Sequence, residues 1–390
     1  MLLALASGVA EAAIGDVSRA SPPYLAPGYI TAVETFGIAA GPDGNMWFTG
    51  RTPSSPSMIG KITPTGLVDE YPLDVGANPE GIAEGPDGNM WFAELDSKKI
   101  GTINPATGAV AEYPAAGTTT EGPTYIAAGA DGNMWFTEVW GSKVGRITPA
   151  GVITEFDVHT WPFGIAAGPD GNMWFGEIYT GEIAKITPEG TVTHYPLPLS
   201  GGVTPPQPWY IAAGDDGNMW FTQRNVGEIG KINPETGEIT EYSVPYSPSD
   251  VYVIAPGPDG NMWFTDYDNG KIGRITPEGV IDVFSAGYGH VWGIAAGPDD
   301  GNMWFVANPP FAGIVGTIVA SIPHVLTVTR AGSGAGTVTA NRTGIDCGST
   351  CSAQYWEGTS VSLTATAAPG SGFTGWGGAC SGTGACTVPI

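Results

Sequence analysis

Acidic residues recur at one position of a repeated sequence, shortly after a Met-Trp-Phe segment. Four of the seven copies carry a carboxylate there, at Glu94, Glu138, Glu177 and Asp266. Carboxylates that converge raise one another's pKa unless a cation compensates. Oxygen ligands of this kind suit the hard divalent ions Mg²⁺ and Ca²⁺. The pattern therefore predicts that these four acids form a site for one of these ions.

A second position, 14 residues earlier in most repeats, is mainly aromatic. It carries Phe36, Phe163, Trp209, Tyr252 and Trp292, while Glu80 and Thr124 hold the remaining two places. Aromatic side chains beside carboxylates favour a ligand pocket with an apolar wall and an acidic floor. The alternative is that the rings only fill space and the acids face water.

Glu80, Glu94 and His290 are the candidate catalytic residues. Glu80 lies 14 residues before Glu94, so the repeat brings the two together as a conceivable acid/base pair. A carboxyl group acts as a base near neutral pH only when its surroundings raise its pKa. The same pair fits a cation site or two solvated acids equally well. His290 stands two residues before Trp292, where a single imidazole has a packing or hydrogen-bonding role more often than a catalytic one.

The elements that must position these residues are short β-strands. The string Asp-Gly-Asn-Met-Trp-Phe occurs seven times, and each repeat contains four β-type runs separated by turn residues. Met-Trp-Phe is apolar on both of its faces, which is typical of a strand packed between two neighbouring sheets. Four strands in each repeat of roughly 40 to 45 residues predict an all-β fold, a seven-bladed β-propeller over residues 28–320.

Propeller geometry predicts where the candidate residues meet. The two strands of each hairpin run in opposite directions, so both candidate positions are expected as rings at one mouth of the central channel. The predicted seventh blade is the last in the sequence, and no fourth β-type run follows its third strand. Residues 28–35 resemble a fourth strand and are predicted to complete that blade, because an unpaired sheet edge is unfavourable.

The two ends of the chain differ from the repeats. Residues 1–12 resemble the remnant of a signal peptide, and residues 13–27 are predicted to be a linker. Residues 321–390 are predicted to form a small β domain with every cysteine of the chain, and we expect it to be incomplete. Three connectivities are possible, and we favour the two local pairs as structural disulfides. The cysteines are Cys347, Cys351, Cys380 and Cys386.

Composition narrows the class of partner and the compartment. The formal net charge of −24 disfavours binding to nucleic acid or to anionic membranes. No segment is apolar and long enough to span a bilayer. Disulfides indicate an oxidising compartment. We therefore expect a secreted or surface-exposed bacterial protein, a monomer, whose partner is a small molecule, a glycan or a protein bound at the channel mouth.

The repeat itself resembles the virginiamycin B lyase (streptogramin lyase) family. The resemblance lies in Gly-Ile-Ala-x-Gly-Pro-Asp-Gly-Asn-Met-Trp-Phe-Thr-Glu followed by Lys-Ile-Gly-Arg-Ile-Thr-Pro-x-Gly, and it covers residues 28–320. The tail is similar to the divergent repeat domains of bacterial surface proteins. The first resemblance implies a seven-bladed propeller that inactivates type B streptogramin antibiotics by a Mg²⁺-dependent elimination that opens the ring.

The same resemblance implies catalytic residues that this chain lacks. It implies a His directly before Gly-Ile in two blades, an acid two residues upstream and a Glu 14 residues downstream. No copy has His at the first of these positions, although Glu34 and Asp250 match the upstream acid. We therefore predict a ligand- or partner-binding module. The alternatives are a Mg²⁺-dependent carbon–oxygen lyase with a rearranged site and a purely structural module.

Overall fold

The computed structural model describes most of the chain. The described residues are 14–15, 17–19, 34–52, 56–115, 122–199, 205–246, 248–298, 300–308, 313–320, 323–329, 331–341, 345–347, 351–356, 360–384 and 386–389. Within these ranges all regular structure is β-strand. No helix able to cross a membrane occurs in the same part of the chain. The chain divides into two units, one of them formed mainly by residues 17–318 and the other mainly by residues 319–390.

The larger unit contains seven antiparallel sheets of four strands, which are the blades. The first strands are β2 (Glu34–Ala40), β6 (Pro79–Glu84), β10 (Tyr125–Ala128), β14 (Pro162–Ala167), β18 (Pro208–Ala213), β22 (Val251–Pro256) and β26 (Val291–Ala296). The second strands, which carry Met-Trp-Phe, are β3 (Met46–Arg51), β7 (Met90–Glu94), β11 (Met134–Glu138), β15 (Met173–Glu177), β19 (Met219–Gln223), β23 (Met262–Asp266) and β27 (Asn302–Ala307).

The outer half of each blade adds two more strands. The third strands are β4 (Met58–Ile62), β8 (Lys99–Ile103), β12 (Lys143–Ile147), β16 (Glu182–Ile186), β20 (Glu228–Ile232), β24 (Lys271–Ile275) and β28 (Ile314–Val319). The fourth strands are β5 (Val68–Pro72), β9 (Val110–Pro114), β13 (Ile153–Asp157), β17 (Val192–Pro196), β21 (Ile239–Ser243), β25 (Ile281–Ser285) and β1 (Val17–Arg19).

The first strands touch one another in cyclic order, from β2 through β26 and back to β2. Packing between blades explains this ring. The tryptophan face of one blade lies against the methionine and phenylalanine face of the next, as where Trp91 packs with Met134 and Phe136. The ring closes in the same way, because Trp304 of the seventh blade packs with Met46 and Phe48 of the first. The expectation that Met-Trp-Phe is buried on both faces is confirmed.

The turn before each second strand is built by hydrogen bonds to an aspartate. In the second blade, Gly88 adopts a positive φ of 75° and Asp87 accepts hydrogen bonds from its neighbours. The Trp91 indole N–H donates to its carboxylate at 2.9 Å, and the Asn89 side chain donates at 2.8 Å. Burial opposes ionisation of Asp87, but these hydrogen bonds outweigh it and lower its pKa.

The fourth strand of the seventh blade is β1, which pairs with β28 through Val17–Ile318, Ser18–Thr317 and Arg19–Gly316. The prediction had assigned this place to residues 28–35. Residues 28–33 lie outside the described residues, and Glu34 and Thr35 begin β2, the first strand of the first blade. Within the predicted linker 13–27, residues 17–19 therefore form a strand. Residues 1–12 also lie outside the described residues.

The smaller unit is a β domain with two disulfides. β29 (Pro323–Thr327) pairs with β31 (Ser352–Trp356), and β32 (Ser360–Ala367) pairs with β30 (Gly336–Ala340) and β33 (Cys386–Pro389). A small core contains Val338, Ile345, Val361, Leu363 and Val388. The disulfides join Cys347 to Cys351 and Cys380 to Cys386, the local pairs that the sequence favours.

We expect Asp87→Ala to lower the free energy of unfolding by about 1–3 kcal/mol, because it leaves the buried Trp91 indole N–H without its charged acceptor. Urea denaturation followed by tryptophan fluorescence measures the change. Glu189→Ala, at an exposed turn of the fourth blade, is the control and should lie within roughly 0.5 kcal/mol of wild type. Equal stability of the two variants would show that the turn aspartate is dispensable.

Candidate aromatic and acidic site at the channel mouth

Hydrogen bonds between blades position the first-strand residues. The second-strand Thr49 hydroxyl donates to the backbone carbonyl of Glu80 in the next blade at 2.7 Å. Thr222 donates in the same way to the carbonyl of Tyr252, at 2.6 Å. Thr265 donates to the carbonyl of Trp292, at 2.9 Å. These three blades therefore fix the backbone from which the next blade presents its candidate site residue.

The predicted aromatic residues do converge. Ring centroids of Phe163 and Trp209 lie 4.3 Å apart, those of Trp209 and Tyr252 5.3 Å, and those of Tyr252 and Trp292 5.1 Å. Phe36 continues the chain at 5.1 Å from Trp292. The five rings thus form one connected aromatic wall. Thr124, at the same position of the third blade, is buried.

Two tyrosines that the sequence analysis did not single out complete the interior. Tyr125 and Tyr210 directly follow Thr124 and Trp209, the first-strand candidate positions of their blades. Four other blades have glycine at the equivalent place. Their rings lie 4.9 Å apart, and both contact Phe163. Burial raises the pKa of both phenols, which also hydrogen-bond to each other. The alternative interpretation of the wall, in which the rings fill space, applies to this inner part, where Tyr125, Phe163 and Tyr252 are buried.

The outer part of the aromatic wall surrounds the positively charged side chain of Arg224. The Arg224 guanidinium lies 4.5 Å from the Trp209 ring, 5.2 Å from Tyr252 and 5.9 Å from Tyr267. Asp250 accepts two hydrogen bonds from Arg224, at 2.5 and 3.0 Å. The indole N–H of Trp209 is buried and has no hydrogen-bond partner among the described residues. The wall therefore presents partly exposed rings and a fixed positive charge.

His290 lies at the rim of this wall. Its ring centroid is 4.7 Å from that of Tyr267, which in turn lies 4.8 Å from the Trp292 ring. Its Nδ1 atom is 3.7 Å from the Asp268 carboxylate, and half of its side chain is exposed. The backbone of His290 has a positive φ of 53°. These contacts describe an imidazole packed on aromatic rings beside one exposed carboxylate.

Glu80 faces a different set of groups. The charges that act on it are Arg51, which favours its ionised form, and Asp96 and Glu34, which oppose it. Burial is the largest effect, and it raises the pKa of Glu80 to about 8. Arg51 forms an ion pair with Glu34 at 2.6 Å, and its guanidinium lies 5.6 Å from the Phe36 ring. Glu80 is therefore largely protonated at neutral pH.

The second-strand acids do not join this mouth. Glu94 lies beside Ser97 and the Lys99–Glu112 ion pair of its own blade, and burial raises its pKa to about 7. Asp266 accepts a hydrogen bond from Tyr246 at 2.6 Å and others from Asn269. These positions share a face with the Met and Phe of their strand, so they point into the cleft between two blades.

Among the described residues, the four acids do not come together in one group, and Glu94 is not among the charged neighbours of Glu80. Glu94, Glu138, Glu177 and Asp266 end the second strands of four separate blades. Pro79 is the residue paired with Glu94, and the adjacent Glu80 has different charged neighbours. Among the residues that the structure describes, these four acids are not a set of ligands for the magnesium ion that the fold family implies, and Arg51 and Arg224 supply positive charge at the mouth.

One acid, Glu177, belongs to a cluster that could hold a metal ion. Its partners are Glu182, His159 and His194, and one ligand atom from each of the four lies within 4.8 Å of the other three. The sequence analysis gave no role to either histidine. Among the residues that the structure describes, this is the one group of at least three His, Cys, Asp or Glu side chains that meets this criterion.

The side chains at the mouth that the sequence prediction missed lie one residue after the predicted second-strand positions. Arg51, Arg224 and Tyr267 each follow the position that the sequence analysis chose. Successive side chains of a strand point to opposite faces, so the chosen acids enter the cleft between blades and their neighbours face the mouth. Three residues of the histidine cluster lie on strands of the fourth blade, but the fourth, His159, comes from the segment before that blade, so no single repeat contains the whole cluster.

The fold and this mouth define a seven-bladed β-propeller with an aromatic channel. Residues 24–161 and 203–322 match the model of the virginiamycin B lyase family. The chain belongs to that family. Residues 326–389 match the divergent InlB B-repeat domain. A search of curated proteins found no match.

Solved structures agree with this assignment. Virginiamycin B lyase from Staphylococcus aureus is 30% identical with a TM-score of 0.66, over 73% of this chain and 95% of that one. A structure described as streptogramin B lyase is 29% identical with a TM-score of 0.68, over 77% and 96% of the two chains. A catalytically inactive variant of the S. aureus enzyme with quinupristin is 29% identical with a TM-score of 0.68, over 78% and 99%.

We expect the stability of the wild-type protein to fall as pH rises from 5 to 9. Glu80 has a pKa of about 8 when folded and an ordinary value of 4.5 when unfolded. The folded protein therefore binds the Glu80 proton more tightly than the unfolded chain does. The resulting contribution to the free energy of unfolding is lost as pH rises through 8. Each unit of pKa difference corresponds to roughly 1.4 kcal/mol. Thermal unfolding should show a smaller fall for Glu80→Gln.

The matched control is Glu84→Gln, at the exposed end of the same strand. It should keep the wild-type pH dependence. If Glu80→Gln also kept it, the carboxyl of Glu80 would titrate at its ordinary pKa, and the description of its surroundings would be wrong.

Proposed function

We propose that this protein is a secreted binding module that holds a peptide-like ligand at the channel mouth and does not carry out the lyase reaction of its family. The observation that carries the proposal is the wall formed by Trp209, Tyr252 and Trp292 around Arg224. Aromatic rings with a few placed polar groups are typical of small-ligand sites.

The chemistry of the wall favours a ligand with aromatic groups and carbonyl or carboxylate oxygens. Arg224 donates hydrogen bonds to Asp250 and remains positively charged, so it can attract carbonyl or carboxylate oxygens to the partly exposed rings. A peptide or depsipeptide offers both features. The family relative with quinupristin supports this class of ligand, although that complex describes another protein.

The residues at the positions implied for the catalytic histidines argue against elimination. Such a reaction requires a base that accepts a proton near neutral pH. Phe36, Phe163, Trp209 and Trp292 cannot do so. Among the residues at these first-strand positions, Glu80, with its pKa of about 8, is the one that could accept a proton near neutral pH. It is the basis of the second candidate function, a carbon–oxygen lyase with a rearranged site.

The proposed compartment is extracellular or the cell surface. Two disulfides and the match of residues 326–389 to a divergent InlB B-repeat domain support this location.

A titration with quinupristin, followed by calorimetry, tests the binding proposal. We expect saturable binding that Trp209→Ala weakens at least tenfold, because the substitution removes a central aromatic contact. Leu67→Ala is the control, since Leu67 is exposed in a turn that joins third and fourth strands, at the other end of the blade. No binding of quinupristin, or tighter binding of a glycan, would contradict the proposed ligand class.

A separate assay distinguishes binding from catalysis. The protein is incubated with quinupristin and Mg²⁺, and the products are separated by chromatography and identified by fragmentation mass spectrometry. We expect the ring to stay closed. A ring-opened product of unchanged mass that disappears with Glu80→Gln would overturn the binding proposal in favour of the lyase.

A further inference from the structure

The fourth blade differs from the second and third blades at two positions in fixed register. In the second blade the acid that ends the second strand, Glu94, pairs with Lys99, and two residues further along that third strand Gly101 pairs with Glu112. The third blade repeats this arrangement. Its corresponding residues are Glu138, Lys143 and Glu155. In both blades the lysine ammonium group forms an ion pair with the glutamate of the fourth strand.

The fourth blade replaces both partners of that ion pair. Glu177 pairs with Glu182 instead of a lysine, and Ala184 pairs with His194 instead of a glutamate. The built-in cation is therefore gone, and a second carboxylate stands in its place. The three groups of the second or third blade sum to a charge of −1. With neutral imidazoles, the corresponding groups of the fourth blade sum to −2.

A fourth side chain enters from the segment that joins the third and fourth blades. His159 follows β13, and its Nδ1 atom lies 3.2 Å from Glu182 and 3.8 Å from Glu177. His194 Nδ1 lies 2.9 Å from Glu177 and 3.9 Å from Glu182. The two imidazole rings are stacked, with centroids 3.6 Å apart. Two nitrogens and two carboxylates thus face one small volume.

The cluster is both held in place and open to solvent. The side chain of Glu177 is fully buried. Its Oε2 atom faces His194, and its Oε1 atom accepts a hydrogen bond from the His159 backbone N–H at 2.8 Å. An outer hydrogen bond of this type orients a ligand. The His159 side chain is 56% exposed, so an ion can enter on that side and the ring can turn toward it.

We infer that His159, Glu177, Glu182 and His194 form a zinc site that takes the place of the lysine of the second and third blades. Two imidazole nitrogens and two carboxylate oxygens match the ligands and tetrahedral geometry of Zn²⁺. Mg²⁺ and Ca²⁺ prefer oxygen ligands alone. Atoms bound to one zinc at about 2 Å lie roughly 3 to 4 Å apart. The ligand atoms already lie within 4.8 Å of one another. The exposed His159 ring must turn out of its stack with His194, so that both imidazole nitrogens point at the ion.

The ion would link the segment between two blades to the outer strands of the fourth. This role is separate from the channel mouth, so it stands or falls independently of the proposed binding function.

Calorimetric titration of the full chain with zinc chloride, after treatment with a chelator, tests the inference. We expect one tight site per chain. His159→Ala should weaken its binding at least tenfold, as the loss of one ligand predicts, and this exposed position should tolerate the change. His290→Ala is the matched control, because His290 is half exposed outside the cluster, and it should bind zinc like wild type.

A double variant tests the comparison between blades. Glu182→Lys with His194→Glu restores the residues of the second and third blades, including the internal cation. We expect this variant to lose the tight site while it keeps its thermal unfolding temperature in the absence of metal. Co²⁺ should give the visible absorption of a tetrahedral complex with wild type and not with the double variant.

Three results would overturn the inference. The first is no tight zinc binding by wild type. The second is unchanged binding by both His159→Ala and the double variant, which would place the ion elsewhere. The third is equal affinity for Mg²⁺, which would show that the imidazole nitrogens are not ligands.

Discussion

The hydrogen bond from the blade tryptophan to the turn aspartate is the interaction on which this architecture depends. It fixes the turn between the first two strands, and it lets a fully buried indole satisfy its N–H while its rings pack on the next blade. It recurs in the first blade, where Trp47 donates to Asp43 at 3.0 Å, and in the fourth, where Trp174 donates to Asp170 at 2.9 Å. Because each hairpin has the same shape, equivalent residues of all blades come to equivalent places around one axis.

That equivalence decides how much the sequence alone could predict. The number of blades, the burial of Met-Trp-Phe and the convergence of the first-strand aromatics all follow from the repeat, since each needs only the period and the two-residue alternation of a strand. The second-strand acids were assigned to the mouth without regard to that alternation. Phe92 and Glu94 are two residues apart and share a face, so burial of the phenylalanine between blades takes the glutamate there too.

The features that could not be predicted arise from contacts between different repeats. Arg224 lies among Trp209, Tyr252 and Tyr267, which come from two blades, and no single repeat contains this arrangement. The histidine cluster likewise combines the segment after β13 with three strands of the fourth blade. β1 was missed for another reason. It has only three residues, and its pairing with β28 joins parts of the chain that are nearly 300 residues apart.

The short strand β1 has a consequence for how the chain is made. Its partner, Ile314–Val319, lies near the end of the propeller sequence, so the seventh sheet cannot be completed until nearly the whole propeller has been synthesised. Blades one to six are each contiguous in sequence and can form as they emerge from the ribosome. During translation the growing chain is therefore an open arc with two exposed blade faces, and chaperone protection would be most valuable in that interval.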